Sequence, residues 1–499
     1  MTNRFMRSWN IYCLFCAVLV IVPSLAFPQV KPAKSPPRTL TPAKQTAVSW
    51  VDANQAKLID VNQAIWNYAE VGLQEYKSSQ ALIDLLTANG FTIQKGVAGM
   101  PTAFVASYGS GKPVIGMMAE YDALPGLSQD TVPYRKPLVE NGAGHGCGHS
   151  IFGTASTAAA IAIKDAMVKG KLAGTIRLYG TPAEETGIGK VYMVKAGLFD
   201  DVDAVLHWHL GDKTAVGYGT TKAVVSVKFT FTGVAAHASA SPHQGRSALD
   251  AVELMDIGVN YMREHVKEDA RIHYVITDGG GQPNVVPPRA QVWYYVRANT
   301  HKDVENYYAW IVDIAKAAAQ MTKTSVEVKV DSDTHEILPN RPLAELLYSN
   351  LTLVGAPRFT DDEKMFARKL QETVEQEFGG KFDRALSEEV EPLPDRPEQG
   401  TASTDVGEVS WKVPTIGMRA SSTVYGAPGH SWLNVAASGM SIGQKGMVVA
   451  AKALACTGIE LLTNPKAVEA AWADFRARTK DTTFVSLIPP GQGPPTAIR

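Results

Sequence analysis

Residues 142–167, GAGHGCGHSIFGTASTAAAIAIKDAM, join a glycine-rich turn carrying His145, Cys147 and His149 to an alanine-rich apolar run with helical spacing from residue 151. The run lies between two strand-like segments, PVIGMMAEY at 113–121 and TIRLYGTPAEE at 175–185. Strand, turn, helix and second strand make the repeating unit of a mostly parallel sheet covered by helices. Glycine turns ahead of helix N-termini are also where such folds place ligand chemistry. Cys147 and His149 are two apart, so they would diverge on a helix but can converge from a loop. The plain alternative is a flexible Gly/His turn with one inert cysteine.

Outward from this unit the alternation continues. AVSWVDANQAKLIDVNQAIWNYAE (47–70) has helical spacing, TAFVASYG (102–109) reads as a strand, VYMVKAGLF (191–199) as a helix and DAVLHWHL (203–210) as a strand. Between about 220 and 334 the pattern changes to strand, helix, two strands, helix and strand: 224–233, 245–265, 271–280, 289–298, 303–321 and 325–334. That β-α-β-β-α-β order predicts a ferredoxin-like module inserted into the larger α/β domain. The division expected is a leader at 1–26, a Pro/Lys-rich linker at 27–46, a catalytic domain at 47–219 and 335–465, the insert at 220–334, and a tail at 466–499 whose Pro/Gly-rich end reads as loose.

The 499 residues suffice for more than one domain, and 45% hydrophobic with 19% charged residues is a globular composition. A formal charge of -1 supplies no basic field for nucleic acid or an anionic membrane. Arg4 and Arg7, the apolar run 11–25 and Ser24-Leu25-Ala26 have the form of a secretory signal, too short for a comfortable membrane span. An exported protein with no remaining span is therefore expected, and losing Arg4 and Arg7 moves the charge from -1 to about -3. Cys13 and Cys16 would leave with the leader. Of the two cysteines that stay, Cys456 sits in an apolar helical pattern, which favours a buried thiol, and Cys147 reads as a ligand. A Cys147–Cys456 bridge in an exported binding protein is the rival reading.

Further chemistry-bearing residues fall where predicted strands meet loops. Glu184 and Glu185 close the 175–185 strand, where alternation lets the two do different jobs. His207 and His209 share one face late in the 203–210 strand, and His430 lies in the loop GAPGHSWLN (426–434). Glu120 and Asp122 stand at the end of the 113–121 strand, and Asp122 suits the orienting of a ligating histidine.

AEYDALPGLSQ (119–129), HGCGHSIFG (145–153), PAEETG (182–187), AAHASASPHQGRSALDA (235–251) and NVVPPRA (284–290) together resemble the M20 metallopeptidases, in the amidohydrolase branch that contains the aminoacylase, auxin-conjugate and p-aminobenzoyl-glutamate hydrolases. The resemblance spans roughly residues 50–462. It implies a zinc-peptidase-like α/β domain interrupted by a ferredoxin-like lid. It also implies metal ligands at Cys147, His149, Glu185, His209 and His430, with Glu184 as general base. Ser150 stands where many members carry Asp. Five ligands exceed one tetrahedral ion and suit two divalent ions, Zn2+, Mn2+ or Co2+, about 3.5–4 Å apart with a hydroxide between them. The resemblance further implies that His237 stabilises the oxyanion, often across a dimer interface, and that Asn284 contacts substrate. Arg297 is a candidate carboxylate clamp. The expected reaction is hydrolysis of the amide of N-acyl or aromatic-acyl amino acids, by a homo-oligomer joined through the lid. A dipeptidase or carboxypeptidase, and a non-catalytic partner chain, are the rival functions.

Overall fold

The computed structural model describes residues 39–377 and 379–496. The expected leader and most of the linker lie outside the described residues. The first helix, Pro42–Ala53, starts inside the stretch expected to be linker: the Thr41 side chain accepts from the Lys44 N–H, and Pro42 opens the helix. Threonine followed by proline is an N-cap and first-turn pair, so the proline there marks a helix start.

Strands β1 (Thr92–Lys95), β2 (Phe104–Ser110), β3 (Val114–Ala119), β4 (Gly174–Gly180), β5 (Ala204–Gly211) and β6 (Ala215–Val216) belong to one sheet, and a short β7 (Gly219–Thr220) follows it. Strands β8 (Ala223–Thr232), β9 (Arg271–Asp278), β10 (Arg289–Ala298) and β11 (Ser325–Thr334) form a second sheet. A two-residue β12 (Glu398–Gln399) pairs with β7, and β13 (Thr415–Ser421) returns to the first sheet. The first sheet is seven-stranded and mixed, in the order β1-β2-β4-β3-β5-β13-β6. Its centre, β4-β3-β5-β13, is parallel, and the edge pairings β1-β2, β2-β4 and β13-β6 are antiparallel. Strands buried on both faces read as continuous apolar runs, and β3 (VIGMMA) is buried at every position.

Helices His149–Gly170 and Ser441–Thr463 cover this sheet and pack on each other in one apolar cluster with Met117, Leu206 and Trp208. Gly458 permits the contact: a Cβ there would lie 2.5 Å from Ile163 Cδ1. Both helices are long and apolar enough to cross a bilayer, yet 83% and 78% of their most apolar windows are buried inside the protein, which identifies them as core helices.

The second sheet is antiparallel, in the order β11-β8-β10-β9. Val225, Val227, Phe229 and Phe231 of β8 alternate with more exposed residues, and with Val292, Tyr294 and Val296 of β10 they pack against helices Ala248–Met262 and His301–Thr322. The expected loose tail is a correction. After the helix Pro465–Thr479, the Phe484 ring stacks on His335 at 4.6 Å, and the Leu487 N–H donates to Asp333 at 2.6 Å. Lys195 Nζ donates to the carbonyls of Pro489 and Gln492. Backbone groups that find hydrogen-bond partners fix a segment whatever its glycine and proline content.

Candidate metal centre

The turn at 142–148 ends on Gly148, whose φ of +72° is left-handed and whose Cβ, if present, would meet Leu210 Cδ1 at 2.6 Å. Only glycine fits that position. The helix begins at once, at His149, two residues before the apolar pattern does. Cys147 stays on the turn while His149 is the first helical residue and fully buried. His149 Nδ1 donates to Asp122 Oδ1 at 2.8 Å, and Asp122 Oδ2 accepts the Glu185 N–H at 2.9 Å. One buried carboxylate thus orients an imidazole and ties the next loop to it.

The glutamate pair stands on a turn, not on a strand. β4 ends at Gly180, and Glu184–Thr186 is one turn of 3-10 helix preceded by Ala183 in the left-handed region. The Ala183 N–H donates to Glu75 Oε1 at 2.8 Å, and Thr102 Oγ1 donates to Glu75 Oε2 at 2.8 Å. Burial, then Asp122, pushes the Glu75 carboxyl up to about 8. Glu184 and Glu185 therefore diverge because of the turn's geometry, not because of pleat alternation. Nothing in the sequence around Glu75 marks it as the anchor.

His207 and His209 do share a face of β5, but only His209 joins the cluster. His209 Nδ1 donates to the Leu210 carbonyl at 2.8 Å, which leaves Nε2 free, and its ring centroid lies 5.8 Å from that of His149. His207 packs against Gly417 of β13. Burial pushes both imidazoles down to about 3, and a neutral imidazole is the ligating form. His430, in the left-handed region on its loop, places Nε2 at 3.2 Å from Glu185 Oε2. A hydrogen bond to Cys147, and then Glu185, push it up to about 10. His145 turns away: its Nε2 donates to the Ile65 carbonyl at 3.0 Å, and burial pushes it down to about 4. It is a core histidine turned out of the cluster.

Three groups of potential ligand atoms, each within 4.8 Å of one another, result among the described residues: Cys147–His149–His209, Cys147–Glu185–His430 and Glu120–His149–Glu184. The first two share Cys147. His149 Nε2, Glu185 Oε1 and Glu120 Oε2 are buried without a hydrogen-bond partner among the described residues. An imidazole nitrogen and two carboxylate oxygens crowded together without partners are costly unless a cation stands among them, and a mixed N/O/S donor set suits borderline divalent ions. The residues fit the implied metal pair. Cys147 and Cys456 are both free thiols, and Cys456 is fully buried, so the bridged reading finds no support.

Burial alone would depress the His149 imidazolium, but Asp122 and Glu120 outweigh it and hold it well above the usual range. Burial, then Glu120 and Asp405, raise the Glu184 carboxyl well above its ordinary value. Beside the glutamates lies Lys190, fully buried, with Nζ at 2.8 Å from Glu120 Oε1 and 2.6 Å from Asp405 Oδ1. Neither Lys190 nor Asp405 was legible as part of a site.

Three expected residues are not brought to the cluster within this chain. His237, after β8, and Asn284, between β9 and β10, sit together on the exposed surface, joined by the Ala238 N–H to the Asn284 carbonyl at 2.9 Å. Arg297, near the end of β10, donates from Nη1 to Ser403 Oγ at 3.1 Å and lies over the Tyr295 ring.

A mixed sheet flanked by helices, with such a ligand cluster at its carboxyl edge, defines a metallohydrolase. The chain belongs to peptidase family M20/M25/M40, whose sequence profile matches residues 116–455, and it is a hydrolase of that family. It is 41% identical over 433 residues to one of the p-aminobenzoyl-glutamate hydrolase subunits of Escherichia coli (strain K12), a match that covers 82% of this chain and 90% of that protein. It is 26% identical over 475 residues to the Xaa-Arg dipeptidase of Mus musculus, covering 91% of this chain and 97% of that one. Among solved structures it matches a dinuclear metal-binding peptidase of the M20 family from Bacillus subtilis with a TM-score of 0.53 and 17% identity, over 83% of this chain and 99% of that one.

Proposed function

We propose that this chain hydrolyses the amide joining an acyl or aromatic acyl group to an amino acid, with p-aminobenzoyl-glutamate as the model substrate, using two divalent ions. One observation carries the reading: the ligand atoms of five residues fall into two groups that share Cys147, while Glu184 belongs to neither. When bound, the ions supply Lewis acidity toward the scissile carbonyl and acidify a water. His149 and His209 would hold one ion, Glu185 and His430 the other, and Cys147 both. Glu184, free of these groups, takes the proton of the attacking water and returns it to the leaving amine nitrogen. Zinc, manganese and cobalt all suit the donor set.

Within this reading, residues 220–334 act as a ferredoxin-like lid; the strand order β11-β8-β10-β9 under two helices supports it. His237 and Asn284 would then reach substrate on closure or from a second chain, and Arg297, whose Nε is buried without a hydrogen-bond partner among the described residues, would take a carboxylate. The exposed Val275 and Ile276 on edge strand β9 support self-association. The 41% identical relative, by contrast, is named as a subunit, which supports a second kind of partner chain. Export rests on Arg4, Arg7 and the apolar run 11–25. Light scattering and intact mass on protein recovered from the producing cells test both: a monomer starting at Met1 would contradict them.

The function is tested by a hydrolysis panel on metal-stripped protein with zinc, manganese or cobalt restored. N-acyl and p-aminobenzoyl amino acids are expected to exceed dipeptides in kcat/KM by about tenfold or more, a difference of about 1.4 kcal/mol in transition-state binding. Faster cleavage of dipeptides would favour the peptidase reading, toward which the relation to a dipeptidase points.

A further inference from the structure

One buried carboxylate oxygen in the cluster has no task in the five-ligand set. Glu120 follows β3 and is 1% exposed. Its Oε1 accepts from Lys190 Nζ at 2.8 Å, while its Oε2 has no hydrogen-bond partner among the described residues and lies 3.1 Å from His149 Nε2. His149 donates through Nδ1 to Asp122, so in the neutral ring Nε2 presents a lone pair. At that distance a cation must lie between the nitrogen and the carboxylate oxygen: the ring's own proton when the centre is empty, a metal ion in its place when the centre is filled. Glu184 Oε2 approaches the same nitrogen at 3.9 Å from another side.

The support behind Glu120 is unusually complete. Asp405 accepts the Lys190 ammonium through Oδ1 at 2.6 Å and the Lys190 backbone N–H through Oδ2 at 2.9 Å. The lysine is thus gripped at both ends, with no exposure. A lone buried ion pair would be neutral, but here two carboxylates share one ammonium. The free oxygen of Glu120 is turned toward the ligand cluster, 3.1 Å from His149 Nε2. Buried charge persists where a counter-charge completes it.

We infer that Glu120 is a sixth cation ligand, on the His149–Glu184 side of the centre, and that Lys190, gripped by Asp405, is a positioning residue that keeps the free oxygen of Glu120 turned toward the ion. This rests on the two-ion reading above. Zinc titration calorimetry on the metal-stripped full chain tests it. Glu120→Gln is expected to weaken one of the two binding events by tenfold or more. Lys190→Met weakens the same event, and Lys190→Arg, which keeps the charge, restores most of it; a residue serving only to fill space would not show that rescue. Zinc-loaded crystals of the unaltered protein need no variant to fold: Glu120 Oε2 is expected about 2.0–2.2 Å from an ion. Two bound ions with Glu120 Oε2 beyond about 3 Å of both, or a Glu120→Gln titration matching the unaltered chain, overturns the assignment and leaves the two-ion reading standing. An unaltered chain that binds no zinc overturns both.

Discussion

Glu184→Gln is expected to lower kcat by about 10²–10⁴-fold, the range that a positioned general base contributes, while zinc content and KM stay near those of the unaltered enzyme. The substitution keeps the side chain's size and removes only its capacity to take a proton. Glu184 lies outside the two groups joined at Cys147, so its loss leaves their five ligands intact. Burial has already raised its carboxyl well above the ordinary range, which suits a group that must hold a proton between attack on the carbonyl and departure of the amine. Single-turnover kinetics with metal analysis on the same sample decide it. Turnover within a few-fold of the unaltered enzyme would remove Glu184 from the proton transfers.

Cys147→Ala is expected to cost both metal ions, and with them all measurable hydrolysis. His209→Ala and His430→Ala should each spare the ion held by the other group. The asymmetry follows from Cys147 being the member common to Cys147–His149–His209 and Cys147–Glu185–His430. Metal analysis after gel filtration reads the difference directly. If Cys147→Ala keeps one ion at full occupancy, the two groups do not meet at the sulfur.

Much of the frame was written locally. The 3.6-residue pattern after Cys147 becomes the helix His149–Gly170, and the apolar runs at 113–121 and 203–210 become β3 and β5. The β-α-β-β-α-β alternation over 220–334 appears in the structure element for element, because each strand alternates and each helix has its own apolar stripe. What escaped depends on contacts between distant segments. Asp405 grips Lys190 across 215 residues, and Glu75 anchors Ala183 across 108. No spacing rule connects such partners. Ring direction escaped too: His145 stands in the same glycine-rich turn as Cys147 and His149, yet it turns to the Ile65 carbonyl. The tail misled through composition, since prolines and glycines that suggest slack here follow a path set by Asp333, Lys195 and His335.

The sealing of Cys456 inside Ser441–Thr463 bears on how the enzyme withstands oxidants. An internal disulfide would shelter the sulfur of Cys147, but within the described residues no second thiol can reach it without unpacking the core. An oxidant that arrives while the centre is empty therefore takes Cys147 up the sulfenic, sulfinic and sulfonic series, and the last two stages are not undone by ordinary thiols. Occupancy of the centre is thus also this sulfur's shelter, and protein stored with chelator should lose its recoverable activity sooner than protein stored loaded.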